Sequence, residues 1–132
     1  MPEYDMSRVI PAPVEAVWAV VSDPGRLPRW VPTAAASAPV GDTEVRLEGE
    51  SHGHPYSVTA PFRIEDERRR LSWSGDGSGY HGWLQVRGHE DDCEVSLHIV
   101  IPADQPGADA DEEIARGLTE TLDRVAELAV RP

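Results

Sequence analysis

Between Tyr4 and Ile10 the chain is rich in strand formers, and it stops at Pro11-Ala12-Pro13, where proline removes backbone donors. This predicts a first strand. Val14, Val17, Trp18 and Val21 then fall at i, i+3, i+4 and i+7, the spacing of one helical face, and Pro13 suits the first helical position. Ser22-Asp23-Pro24-Gly25 ends that helix, and Arg26 to Val31 has room for a single turn of helix before Pro32. Thr33 to Gly41 is small and alanine-rich, with no face to bury, and reads as a loop.

After Gly41 the period falls to two. Val45 and Leu47 alternate with Glu44, Arg46 and Glu48, the pattern of a half-buried antiparallel strand. His54, Tyr56, Val58, Ala60, Phe62 and Ile64 share one parity, on one long strand or on two strands broken near Pro61. Leu71 and Trp73 continue the apolar parity up to the Gly75-Asp76-Gly77-Ser78-Gly79 turn. Tyr80, Gly82, Leu84 and Val86 follow, then Val95, Leu97, Ile99 and Ile101. Pro102 to Asp109 is rich in turn residues. Acids at Asp109, Asp111, Glu112 and Glu113 then favour a helix N-terminus. Ile114, Leu118, Leu122, Val125 and Ala129 form the apolar stripe of a long helix, flanked by Thr121 and Leu128 and ending near Val130.

The element order is strand, one or two short helices, five or six antiparallel strands and one long helix, which makes an α+β two-layer domain. A helix of about 20 residues is roughly 30 Å long but covers a strip only about 10 Å wide, less than a curved sheet of this many strands offers. Space for a cavity remains between the layers.

At 132 residues and 39% hydrophobic content the chain has enough apolar material for one modest core. Twelve basic residues, all arginine, against 24 acids give a net charge of −12, which argues against nucleic acid or an anionic membrane as partner. The first residues are acidic where a secretory signal needs positive charge, and no apolar run approaches the roughly 18 residues of a membrane span. With Cys93 as the single cysteine there is no internal disulfide and no multi-cysteine zinc site, and the expected compartment is the cytoplasm.

The segments Ile10-Pro11-Ala12-Pro13-Val14-Glu15-Ala16-Val17-Trp18, Ser22-Asp23-Pro24 and Leu27-Pro28-Arg29-Trp30-Val31-Pro32 resemble the opening of START-like, Bet v 1-like (SRPBCC) proteins. The resemblance is to bacterial members of polyketide cyclase/dehydrase and lipid-transport type. Beyond this N-terminal third, the match lies in element order, in the Tyr80-x-Gly82 strand and in the C-terminal helix. It implies the helix-grip fold, a curved antiparallel sheet of six or seven strands around a long C-terminal helix, as a single ligand-binding domain over 1–132. It does not imply a reaction, because members include ligand carriers, aromatases/cyclases and chaperone activators.

The inward parity brings His54, Tyr56, Trp73 and Tyr80 to the expected pocket, among Val58, Phe62, Ile64, Leu84 and Leu97 of the sheet and Leu118 and Leu122 of the helix. By resemblance Trp30 lies at the pocket entrance, whereas Trp18 reads as plain core. A hydrophobic lipid, aromatic or polyketide-like ligand is expected; the competing reading is that these rings simply fill the core. As an enzyme, a cyclase/aromatase or dehydratase, the chain would draw its acid and base from His54, Tyr56 and Tyr80. As an interaction module it would need neither ligand nor reaction. His52 and His54, with Glu48 or Glu50 nearby, lack a third ligand at recognisable spacing, so neither metal nor cofactor is expected. The acids Asp91, Asp92 and Glu94 argue against a Cys93 nucleophile, and Glu65, Asp66 and Glu67 make Arg68-Arg69-Arg70 a solvated hairpin. His81, Trp83 and His98 have the opposite parity, so Trp83 marks either a homodimer face or a tolerated surface aromatic.

Overall fold

The structure is a computed structural model that describes residues 3–32, 34–51, 53–74, 81–88, 91–101 and 111–130. Strand β1 (Glu3–Ile10) leads into helix α1 (Val14–Val21), a 3-10 segment (Pro24–Arg29), strands β2 (Ala34–Val40), β3 (Glu44–Ser51), β4 (His54–Glu65), β5 (Arg70–Ser74), β6 (His81–Gly88) and β7 (Cys93–Val100), and helix α2 (Asp111–Val130). The seven described strands form one antiparallel sheet in the order β1-β7-β6-β5-β4-β3-β2, the arrangement of a helix-grip α+β fold.

Pro13 starts α1 with extended backbone, and its carbonyl accepts from the amides of Ala16 and Val17. The 3-10 segment begins two residues before the expected turn because the Asp23 side chain accepts from the Gly25 amide at 3.0 Å, with Pro24 at its first position. Two latches tie α1 to the turn between β4 and β5: the Trp18 indole donates to Asp66 at 3.0 Å, and Arg69 reaches Glu15 at 2.8 Å. Trp18 is therefore only half-buried, with its ring against the core and its N–H at the surface.

Alanine-rich 34–40, expected as loop, is strand β2. It is an edge strand, paired only with β3 and largely exposed, so it needs no amphipathic alternation; its ladder partner supplies the order. The alternative at Pro61 resolves as one strand that changes partner. Residues up to Pro61 pair with β3, and from Phe62 they pair with β5. Proline offers no amide to the ladder, and the Phe62 amide closes the junction by donating to the Thr43 carbonyl at 2.8 Å.

The core joins the inner sheet face to α1 and α2 through Val17, Val21, Leu71, Leu84, Val95, Leu122 and Val125, each no more than 1% exposed. Helix α2 approaches α1 and β1 most closely. The sheet beyond β5 thus extends past the strip this helix covers. Among the described residues, no helix is long and apolar enough to cross a membrane.

Candidate functional site

Cross-strand register defines the inner face one row at a time. Tyr56 pairs with Gly49, Val58 with Leu47 and Ala60 with Val45 between β4 and β3; Phe62 pairs with Trp73 and Ile64 with Leu71 between β4 and β5. Burial along these rows is graded. Val45, Ala60, Phe62 and Leu71 are buried, whereas Leu47, Tyr56, Val58, Ile64 and Trp73 are half-buried although they share that face. Leu84, Leu97, Leu118 and Leu122 lie deep in the packed core, with Leu84 and Leu97 paired across β6 and β7. Leu47, which sequence reasoning left out, joins the patch through its pairing with Val58.

Trp30 closes the 3-10 segment, its backbone amide donating to the Leu27 carbonyl at 3.1 Å. The segment packs on β2, and the Leu27 amide donates to Ser37 Oγ at 3.1 Å. Trp30 therefore lies at the β2 side of the sheet, away from β1 and α2. The residue is 3% exposed, and its Nε1–H is buried with no hydrogen-bond acceptor among the described residues. A buried donor left unsatisfied costs about 1–3 kcal/mol, so this indole would gain from an oxygen acceptor brought to it.

His54 opens β4 opposite Ser51, and only its strand position is described. Tyr80 and His52 lie outside the described residues. Of the three acid/base candidates, Tyr56 alone has a described side chain, half-buried on the inner face. Cys93 is fully buried, and burial first, then the Asp92 carboxylate, push its thiol above the ordinary value of 9.0. It stays protonated at neutral pH, which is unsuited to nucleophilic chemistry.

On the outer face Trp83 is half-buried rather than bare. Its ring stacks on His98 with centroids 5.4 Å apart, and the Arg70 guanidinium carbon lies 4.4 Å from its centroid. His98 is held in turn by Asp5, 2.6 Å from Nδ1, and by Glu3, 3.7 Å from Nε2.

A family model described as polyketide cyclase / dehydrase and lipid transport matches residues 1–130. None of the curated proteins compared with the chain matches it. Among solved structures, the chain is similar to the Zhui aromatase/cyclase from a Streptomyces species, at 16% identity and a TM-score of 0.75, covering 97% of this chain and 93% of that one. It is also similar to a START superfamily protein from Mycobacterium smegmatis, at 14% identity and a TM-score of 0.69, covering 96% and 92%. The di-domain aromatase/cyclase BexL of the BE-7585A biosynthetic pathway matches at 20% identity and a TM-score of 0.75, and the chain spans 46% of its length. At these identities the likeness is one of fold.

Proposed function

The chain belongs to the polyketide cyclase / dehydrase and lipid transport family, and on that premise we propose that it binds a hydrophobic small molecule, a lipid or an aromatic or polyketide-like compound, between the sheet and α2. The observation that carries this is the half-buried inner-face patch of Leu47, Tyr56, Val58, Ile64 and Trp73 on β3, β4 and β5, away from β1, on which α2 seats. Apolar side chains that the protein leaves partly wet gain stability when a ligand completes their burial, by about 25 cal/mol per Å² of apolar surface. The deep leucines Leu84, Leu97, Leu118 and Leu122 form the wall behind the pocket, and the Trp30 N–H is its polar handle. The domain over 1–132 acts as one ligand-binding unit in the cytoplasm.

Native mass spectrometry of the purified protein, followed by a thermal-shift screen of lipids and aromatic polyketides, tests this. A ligand at 100 times its dissociation constant stabilises by about 2.7 kcal/mol. Val58→Trp, which fills the patch, is expected to abolish that shift, and Trp30→Phe to weaken oxygen-bearing ligands about tenfold while leaving pure hydrocarbons unaffected. No stabilising ligand, or one indifferent to Val58→Trp, removes the pocket from consideration and favours a protein partner. The cyclase or dehydratase reading uses the same pocket, with Tyr56, His54 and Tyr80 moving protons. The aromatase/cyclase neighbours support it, and a cyclised or dehydrated product on incubation with a linear polyketide would establish it.

A further inference from the structure

A groove of about 580 Å³ runs across β4, β5 and β6 and ends at the turn before β3. Its volume is in the range of small-molecule sites. Register settles which face it occupies. Its central row is Phe62–Trp73–Gly82, consecutive partners across the three strands. On the inner face its walls would come from α2 and from Leu47, Tyr56 and Val58, and none of these lines it; Ile64, partner of Leu71, is the one inward-parity lining residue outside the central row. The residues that do flank the central row are Arg63, Ser72 and Trp83 on one side and Pro61, Ser74 and His81 on the other, all of the outward parity. The groove is therefore a trough in the outer face, floored by the backbone of a row whose side chains point inward. It opens on the opposite face of the sheet from the inner-face patch of the preceding section, with Ile64 and Trp73 common to both.

We propose that this trough is a second ligand site, for a flat, elongated, uncharged aromatic molecule that carries oxygen acceptors. Shape is the first reason. Rows two residues apart stand about 7 Å from each other, and four neighbouring strand positions from Thr43 to Gly82 span about 14 Å, so the trough suits a slender, flat molecule. The second reason is Trp83, whose indole forms one wall. Arg70, which pairs with Gln85 one row beyond Ser72 and Trp83, lies over that ring, and His98 stacks on it from β7. An aromatic wall already held in place loses little freedom on binding. The third reason is the polar lining: the hydroxyls of Thr43, Ser72 and Ser74 and the guanidinium of Arg63 are donors suited to phenol or ketone oxygens. Charge then chooses between neutral and anionic ligands. Arg63 is paired with Glu65 at 3.4 Å, Asp42 closes one end, and the chain carries a net charge of −12, so an anion is disfavoured.

The test is a titration of the 15N-labelled full chain with 2-naphthol. The expected result is a saturable shift of the Trp83 indole N–H together with the Trp73 and Gly82 amides, and at least a tenfold rise in dissociation constant in Ser72→Tyr, which fills the trough. Ser74→Tyr fills it from the opposite wall and replaces Ser72→Tyr should that variant lose its native amide dispersion. Val58→Trp, which blocks the inner patch, leaves the Trp83 shift in place, so failure of the pocket and failure of the trough are read separately. An unmoved Trp83 indole, shifts confined to inner-face positions, or trough-filling variants that bind as well as wild type each overturn the proposal. Shifts of Trp83 that appear on concentrating the protein alone, with a doubled mass by light scattering, overturn it in favour of a second copy of this chain.

Discussion

At Gly82 a side chain as small as a methyl would lie 2.6 Å from the carbonyl oxygen of His98 and 2.8 Å from the Trp73 ring. Both are closer than carbon tolerates, and the oxygen belongs to a neighbouring strand that cannot give way cheaply. The glycine lets Trp73 lie flat against β6 on the inner face, beside the proposed pocket. Gly82→Ala is therefore expected to destabilise the fold by about 2–3 kcal/mol, seen as a lower urea midpoint at unchanged slope. A neutral outcome would mean that Trp73 swings away at no cost. In sequence Gly82 stands out only as a glycine within a strand pattern, which marks a close approach without naming the approaching group. The opposite case is Trp30, whose place in a buried cluster and unsatisfied N–H no local pattern reports.

Helix α2 and the two ends of the sheet show what amphipathic patterning encodes and what it omits. The stripe of Leu118, Leu122 and Val125 is fully legible as a 3.6-residue period, and all three are buried against the core. Leu122→Ala, at a position 1% exposed, should cost about 3 kcal/mol, whereas Leu128→Ala, half-buried in the last turns, should cost about 1 kcal/mol. Paired urea melts of the two variants check this, and equal costs would mean that the C-terminal turns pack as tightly as the middle. Strand β2 had no such signal. Ala34 to Val40 gains its strand character from a ladder to β3 and from the 3-10 segment packed on it, so the residues that make it a strand lie elsewhere in the chain. Partner exchange at Pro61 is similar: a proline announces a break, but only the neighbouring strands decide whether the chain turns or continues.

Over the whole molecule, 24 acids against 12 arginines set a self-repulsion that exposed ion pairs offset only locally. Those pairs include Arg8 with Asp123, which ties β1 to α2, and Arg69 with Glu15. Raising sodium chloride from about 20 mM to about 0.5 M shortens the screening length severalfold and is expected to raise the thermal midpoint by a few degrees, the effect of about 1 kcal/mol in a domain of this size. A fall in the midpoint would show that the pairs outweigh the repulsion.

By itself the sequence determined the order of the elements other than β2, the inward parity of the strands with a two-residue period, the family resemblance in the first third and the acidic surface. These follow from local periods, charges and short motifs, which survive in any one-dimensional record of the chain. Tertiary structure decided the rest. Alternation assigned His81 and Trp83 to the outer face and gave no hint that, with Arg63, Ser72 and Ser74, they flank one trough. That trough exists because three strands from separate parts of the chain come into register at Phe62, Trp73 and Gly82. The graded burial of Leu47, Val58 and Trp73 likewise depends on where α2 comes to rest, since one helix cannot cover a seven-stranded sheet and its position is set by packing on α1 and β1.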